Sequence, residues 1–142
     1  MRRVLRQRAE RRQLMTAKAD VLAELKRLRV QVPALTGALA ASTDGLVLAA
    51  DTEEAEGVAA LTAAALGVAI RLTEATGQGA FRELLVRGER GCVATYAAGA
   101  SAVLTLLAEP RINVGRLHLE ARRSGARIGE LIDGALARPE NT

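Results

Sequence analysis

Few residues in this chain could do chemistry by type and spacing. The single histidine, His118, has Arg116, Glu120 and Arg122 beside it. A general base needs an oriented partner and a nucleophile within hydrogen-bond reach, and nothing near His118 in sequence supplies them. Its charged surroundings predict a solvated or rim position. The single cysteine, Cys92, opens a strand-like run. A zinc site takes several Cys, His or carboxylate ligands, and one Cys and one His fall short of the usual set. Cys92 is therefore expected as a buried structural thiol. Glu53, Glu54 and Glu56 could suggest a paired acid and base. They stand at the start of a helical pattern, however, where carboxylates complement the helix dipole. The pairs Gly77-Gln78-Gly79 and Gly88-Glu89-Arg90-Gly91 lack the lysine and hydroxyl of a P-loop, and they lack the dinucleotide fingerprint. They read as turns. No catalytic set, metal site or cofactor site is expected.

Charge is the other chemical resource, and it is unevenly placed. Residues 1–29 hold ten Lys or Arg against three acids, while the whole chain carries a formal +4. A basic arm is thus joined to a mildly acidic remainder. Its arginines (Arg2, Arg3, Arg6, Arg8, Arg11 and Arg12) could neutralise phosphates or meet an anionic membrane surface. No DNA- or RNA-reading motif accompanies them. Phe81 and Tyr96 are the only aromatic residues, which removes the stacking platforms used to hold single strands. Nucleic acid is not the expected partner.

The elements that must carry these residues are legible from periodicity. At 142 residues, 49% of them hydrophobic, the chain fits one domain with a core of Leu, Val, Ile and Ala. A lone thiol suits a reducing compartment, so a cytoplasmic location is expected. Residues 1–15 show no clean apolar stripe and predict an arm that is either a frayed helix or disordered. The domain is expected over 16–137, with a tail at 138–142. From Thr16, the expected N-cap, Val21, Leu25, Leu28 and Val32 recur at helical spacing until Pro33 stops the pattern. Two apolar runs, 34–43 and 46–50, flank Asp44-Gly45 and predict a hairpin whose central residues both take positive φ. Strand-like runs follow at 81–87, 92–97 and 102–108, joined by short turns as in a meander. A last helix should begin at Asn113 and turn Val114, Leu117, Ala121, Ile128, Leu131 and Leu136 to the core. Gly115, Gly125 and Gly129 weaken it as a helix by up to about 1 kcal/mol each.

The helix expected over 52–76, ending at Gly77, is the most informative element. Val58, Leu61, Ala65, Val68 and Leu72 form the arc expected against a sheet. Ala59, Ala63, Leu66 and Ile70 form a second apolar arc. A strip of small residues, Gly57, Ala60, Ala64 and Gly67, lies between them and leads to Arg71. The apolar run bounded by Glu56 and Arg71 is shorter than the about 20 residues a spanning helix needs, so no transmembrane segment is expected. A helix apolar nearly all round is buried nearly all round, and one sheet shelters only one side of it. The other side calls for a second polypeptide.

The run from Val32 through Asp44-Gly45 to Ala50 resembles the opening hairpin of the Roadblock / dynein light-chain family. Phe81–Gly91 with the strands after it, and Asn113–Glu120, are similar to later parts of the same family. The resemblance covers about residues 16–136. It implies a profilin-like three-layer α/β (α+β) sandwich with a five-stranded antiparallel sheet, in the order α-β-β-α-β-β-β-α. It also implies homodimers formed by pairing the strands over 81–87, with the two long helices side by side. Dimer contacts would then fall at Gly57, Ala60, Ala64, Gly67, Phe81, Glu83, Leu85 and Arg87. Bacterial members of this kind bind or activate small Ras-like GTPases as non-catalytic dimers, which nominates Leu66, Ile70, Arg71 and Glu74 as partner-facing. The alternative is an adaptor acting on nucleic acid or a membrane through the basic arm.

Overall fold

In a computed structural model that describes residues 1–136, the elements are α1 (Arg2–Gln31), β1 (Leu35–Ser42), β2 (Val47–Asp51), α2 (Ala55–Ala75), β3 (Glu83–Gly88), β4 (Gly91–Ala98), β5 (Ala102–Ala108) and α3 (Val114–Leu136). The five strands form one antiparallel sheet in the order β2-β1-β5-β4-β3. Helices α1 and α3 pack on one face and on each other, and α2 lies on the opposite face. This is the three-layer α+β sandwich and element order expected. Because β2 and β3 are the two edges, α2 carries the chain from one side of the sheet to the other.

Alternation along the strands sorts the core into two layers. Ala38, Ala40, Ala94, Tyr96, Leu104 and Leu106 meet Val21, Leu25 and Leu28 of α1 and Leu117, Ala121 and Ile128 of α3. The thinner layer below α2 holds Leu39, Ala41, Ala59, Leu66 and Val103.

Of the two forms expected for the arm, helix and disorder, it takes the helix. Residues 2–15 are the first half of α1, continuous with the domain helix, and Thr16 sits inside it with its hydroxyl bonded 2.9 Å from the Arg12 carbonyl rather than capping anything. No Gly or Pro interrupts residues 2–32, and Arg, Gln, Leu, Glu and Ala are all good helix formers. The end of α3 also runs beside this half: Ala9, Gln13, Ala17, Leu131, Gly134 and Ala135 line a shared groove. The expected tail at 138–142 lies outside the described residues.

In the first hairpin only Gly45 takes positive φ (93°), not Asp44. The loop is instead closed by the Gly45 amide on the Ser42 carbonyl and the Leu46 amide on Ser42 Oγ. Helix α2 starts later than expected, after Glu54 in left-handed geometry (φ 54°), so Glu56 is the only acid in its first turn. At α3 the Asn113 side chain accepts from the Arg116 amide as a cap should. Leu136, expected in the core, is exposed. The α3 glycines have a packing role that their helix propensity hides. A Cβ on Gly129 would stand 2.6 Å from the Gly99 nitrogen, so glycine there lets the helix ride against the β4–β5 turn.

Candidate protein–protein interface

The orientation of α2 decides what this molecule offers to others. Its residues at the sheet are Ala59 and Leu66, which is 3% exposed, with Ala63 and Ile70 half-buried beside them. That is the arc expected to face outward. Leu61 (74% exposed), Val68 (69%) and Leu72 (62%), expected against the sheet, point to solvent instead. The two arcs are exchanged except at Val58, which stays half-buried against the layer below α2 as expected. Leu66 and Ile70 are therefore corrected from partner-facing to intramolecular contacts. The physical reason is size: Ala59 and Ala63 let the helix backbone come close to the sheet, and Leu66 then fills the gap against Leu39 and Val103.

The excess apolar surface survives this exchange, on different residues. Helix α2 packs over β1 and β2, leaving the β3–β4 half of the face open. The result is an apolar groove of about 250 Å³ whose walls include Val58, Leu61 and Ala65 of α2 and Leu84, Val86 and Val93 of the sheet. Thr95, at its floor, is buried and satisfied by Thr105, 3.1 Å away. One side of the groove ends at β3, an edge strand with one unpaired row of backbone groups.

The remaining nominated residues fall into three settings. Gly57, Ala60, Ala64 and Gly67 lie exposed on the outer side of α2, and nothing approaches within 4 Å of a Cβ built on Gly57 or Gly67. Arg71 and Glu74 are exposed near the end of the same helix. Phe81 precedes β3, half-buried against the layer below α2. Along β3, Glu83, Leu85 and Arg87 alternate with Leu84 and Val86 and so belong to the face opposite the groove. Leu85 packs on the main core and Arg87 is exposed.

Glu83 belongs to a cluster that one-dimensional reading could not assemble. Arg122 of α3 grips its carboxylate through two bonds, 3.1 and 2.9 Å, and His118 Nδ1 lies 3.6 Å from it. The hydrogen bonds from Arg122 hold the Glu83 carboxyl below its ordinary value against the cost of burial. Tyr96 is fully buried, and desolvation with the nearby Glu83 charge pushes its phenol above its ordinary 10.0. The protonated phenol is hydrogen-bonded to His118 Nδ1 at 2.6 Å, and the imidazole tautomer sets which of the two donates. His118 is thus half-buried and engaged rather than freely solvated. Nothing in the spacing of the chain's one Tyr and one His signals that they meet. A buried phenol that stays protonated is no nucleophile, and the cluster fastens the edge strand to α3.

A second polar cluster fastens α1 to α3. The buried Glu24 carboxylate accepts from Ser124 at 2.7 Å and from Arg27 at 2.6 and 3.1 Å, with Arg127 Nε 3.3 Å away. Burial raises the Glu24 pKa, but the Arg27 and Ser124 hydrogen bonds and the Arg27 and Arg127 charges outweigh it, and the net shift is downward. Cys92 is buried. Among the described residues, no three His, Cys, Asp or Glu side chains converge as metal ligands.

Helix α2 is also long and apolar enough, by length and composition, to cross a bilayer. The sequence run between Glu56 and Arg71 understated it, since the helix extends at both ends. Its packing on the sheet accounts for one apolar arc, and the open groove marks the other as a surface for contact.

Comparison with known proteins places this arrangement. The model of the Roadblock/LC7 domain matches residues 21–108, from α1 through β5. An uncharacterized protein of Methanocaldococcus jannaschii is 29% identical over 97 residues, covering 66% of this chain and 84% of that one. Among solved structures, the gliding protein MglB of Thermus thermophilus superposes with a TM-score of 0.76 at 21% identity, covering 83% of this chain and 92% of that one. Profilin IA of Acanthamoeba castellanii shares the fold with a TM-score of 0.51 at 15% identity, over 76% and 95% of the two chains.

Proposed function

The chain belongs to the Roadblock/LC7 domain family, and on that premise we propose that it is a non-catalytic homodimeric regulator that binds a small Ras-like GTPase. The observation that carries this reading is the outward arc of α2, Leu61, Val68 and Leu72, standing beside an apolar groove and an unpaired edge strand. Pairing β3 with β3 of a second copy satisfies the edge by β-augmentation and continues the sheet across both protomers. The partner's α2 then comes alongside, over the β3–β4 half that each protomer leaves uncovered. Its leucines fill the groove. This gives an isologous interface, in which the same patch serves both copies.

In such a dimer the leucine arcs and grooves are consumed at the centre. The small-residue strip, expected from the sequence among the dimer contacts, is in this reading left on the outer surface of both helices, with Arg71 and Glu74 near its end. A GTPase docks on that platform, where Gly57, Ala60 and Ala64 permit close approach and Arg71 and Glu74 supply polar contacts. Regulation then works by selecting or reshaping loops of the GTPase, since the platform brings no catalytic constellation of its own.

The test uses the purified full chain with small GTPases encoded near it, each loaded with GDP or a non-hydrolysable GTP analogue. Binding that depends on the nucleotide state supports the reading, and an increased hydrolysis rate would define the regulator as an activator. Failure of both states of every such GTPase to bind refutes it.

A further inference from the structure

Helix α1 has a second surface that neither the core nor the proposed GTPase platform uses. Its buried side is set by Ala17, Val21, Glu24, Leu25 and Leu28. Turning by about 100° per residue, the opposite side brings Met1, Val4, Leu5, Met15 and Val30 into one arc. All five are exposed. Arg8, Arg12 and Lys26 share that arc, and Arg11 and Lys18 border it, as does Arg29, whose charge is paired with Asp51 of β2 at 3.1 Å. The three acids of the helix lie elsewhere: Glu10 and Glu24 on the side toward α3, and Asp20 outside the arc. The arc itself is therefore apolar and basic with no carboxylate of α1 on it, along a helix about 45 Å long, and the one carboxylate at its border is Asp51, paired with Arg29. The side chains of Arg8, Arg12 and Lys26 make no hydrogen bond or ion pair with another described residue.

We propose that the outer face of α1 is a docking surface for an anionic lipid bilayer. Exposed Met, Leu and Val side chains give an interfacial helix its apolar purchase, and flanking Arg and Lys bury their stems while their charges reach the headgroups. Nucleic acid is less well served. It rewards phosphate contacts but gives nothing for Met1, Val4, Leu5 and Met15, and the arc contains no aromatic side chain to stack on a base. Continuity with the domain helix matters too. The arm's other side is shared with α3, so the arc is presented by a helix already formed, and little ordering entropy is lost on docking. Helix α2 differs, with Arg71 as its one basic residue.

The experiment is co-sedimentation of the full chain with phosphatidylcholine vesicles containing or lacking phosphatidylglycerol, with duplex DNA as a parallel ligand. Binding confined to the anionic vesicles is expected. The triple variant Arg8→Glu, Arg12→Glu, Lys26→Glu should lower their apparent affinity on the order of a hundredfold, from the loss of three basic contacts. Leu5→Ser with Met15→Ser keeps every charge and should weaken binding at least about tenfold by removing the inserted side chains. Circular dichroism of each variant reports whether the fold is kept. Equal binding to neutral vesicles, full binding by the Leu5/Met15 variant, or duplex DNA bound while vesicles are not, each overturns the proposal. None of these outcomes bears on GTPase binding, so the two readings fail independently.

Discussion

Leu61 and Leu66 are five residues apart on α2, and their serine variants should behave in opposite ways. Leu61 is 74% exposed in the single chain, so Leu61→Ser removes almost nothing from the protomer's own core. A surface change of this kind alters folding stability by about 0.5 kcal/mol or less. In the dimer, covering a leucine is worth about 1.5–3 kcal/mol when it starts fully exposed. Scaled by the exposure, that is about 1–2 kcal/mol per copy. Isologous symmetry doubles it to about 2–4 kcal/mol, which is roughly 30-fold to several hundredfold in the dimer Kd. Leu66 is 3% exposed and touches the sheet, so Leu66→Ser loses the side chain from a packed layer. The expected cost is about 3–5 kcal/mol of folding free energy, the upper part of the range for large-to-small core changes. Sedimentation equilibrium over a concentration series measures the first effect, and urea unfolding at a fixed low concentration measures the second. A Leu61→Ser protein that dimerises as tightly as the wild type would refute the interface. A Leu66→Ser protein of undiminished stability would refute the orientation of α2.

Acid should weaken the α1–α3 contact. The Glu24 carboxyl is held below its ordinary 4.5 in the folded chain, so its contribution is complete above about pH 4.5 and is lost as pH falls through the lowered folded value. Urea midpoints of Glu24→Gln should therefore fall less steeply than those of the wild type between about pH 5 and 3; parallel curves would contradict this. Glu83 is displaced in the same direction, so its stabilisation is lost over the same acid window, and Arg122→Ala should flatten that part of the profile. Tyr96→Phe removes the hydroxyl bonded to His118 Nδ1 and should cost about 1 kcal/mol, since the half-buried imidazole recovers part of the loss from water. Thermal unfolding with no change in midpoint would count against that bond. Gly129→Ala places a Cβ 2.6 Å from the Gly99 nitrogen, a backbone atom that cannot turn aside. Moving α3 off the β4–β5 turn should cost about 1–3 kcal/mol, measurable by urea unfolding.

Most of the architecture was legible in one dimension because local patterns specify it. Pro33 stops a helix by its own stereochemistry, Asn113 caps one through its side chain, and the run 102–108 coincides with β5. The meander of β3, β4 and β5 follows from short turns. Without an amphipathic stripe, residues 1–15 left helix and disorder both open. Helix propensity and the end of α3 keep residues 2–15 helical without a core-facing stripe of their own.

From the order of its residues alone, the chain determined that α2 carries more apolar surface than one sheet can cover. That inference needs only the helical period and the list of side chains. Which arc lies against the sheet was decided in three dimensions, because both arcs are apolar and only the fit to Leu39, Ala41 and Val103 distinguishes them. Alanines admit close approach where leucines do not, so the alanine-rich side went inward and the leucines were left for another surface. The pairing of Tyr96 with His118, and of Glu24 with Ser124 a hundred residues away, belongs to the same class. Partners on separate layers leave no periodicity to read, because nothing but the packing of the layers brings them together.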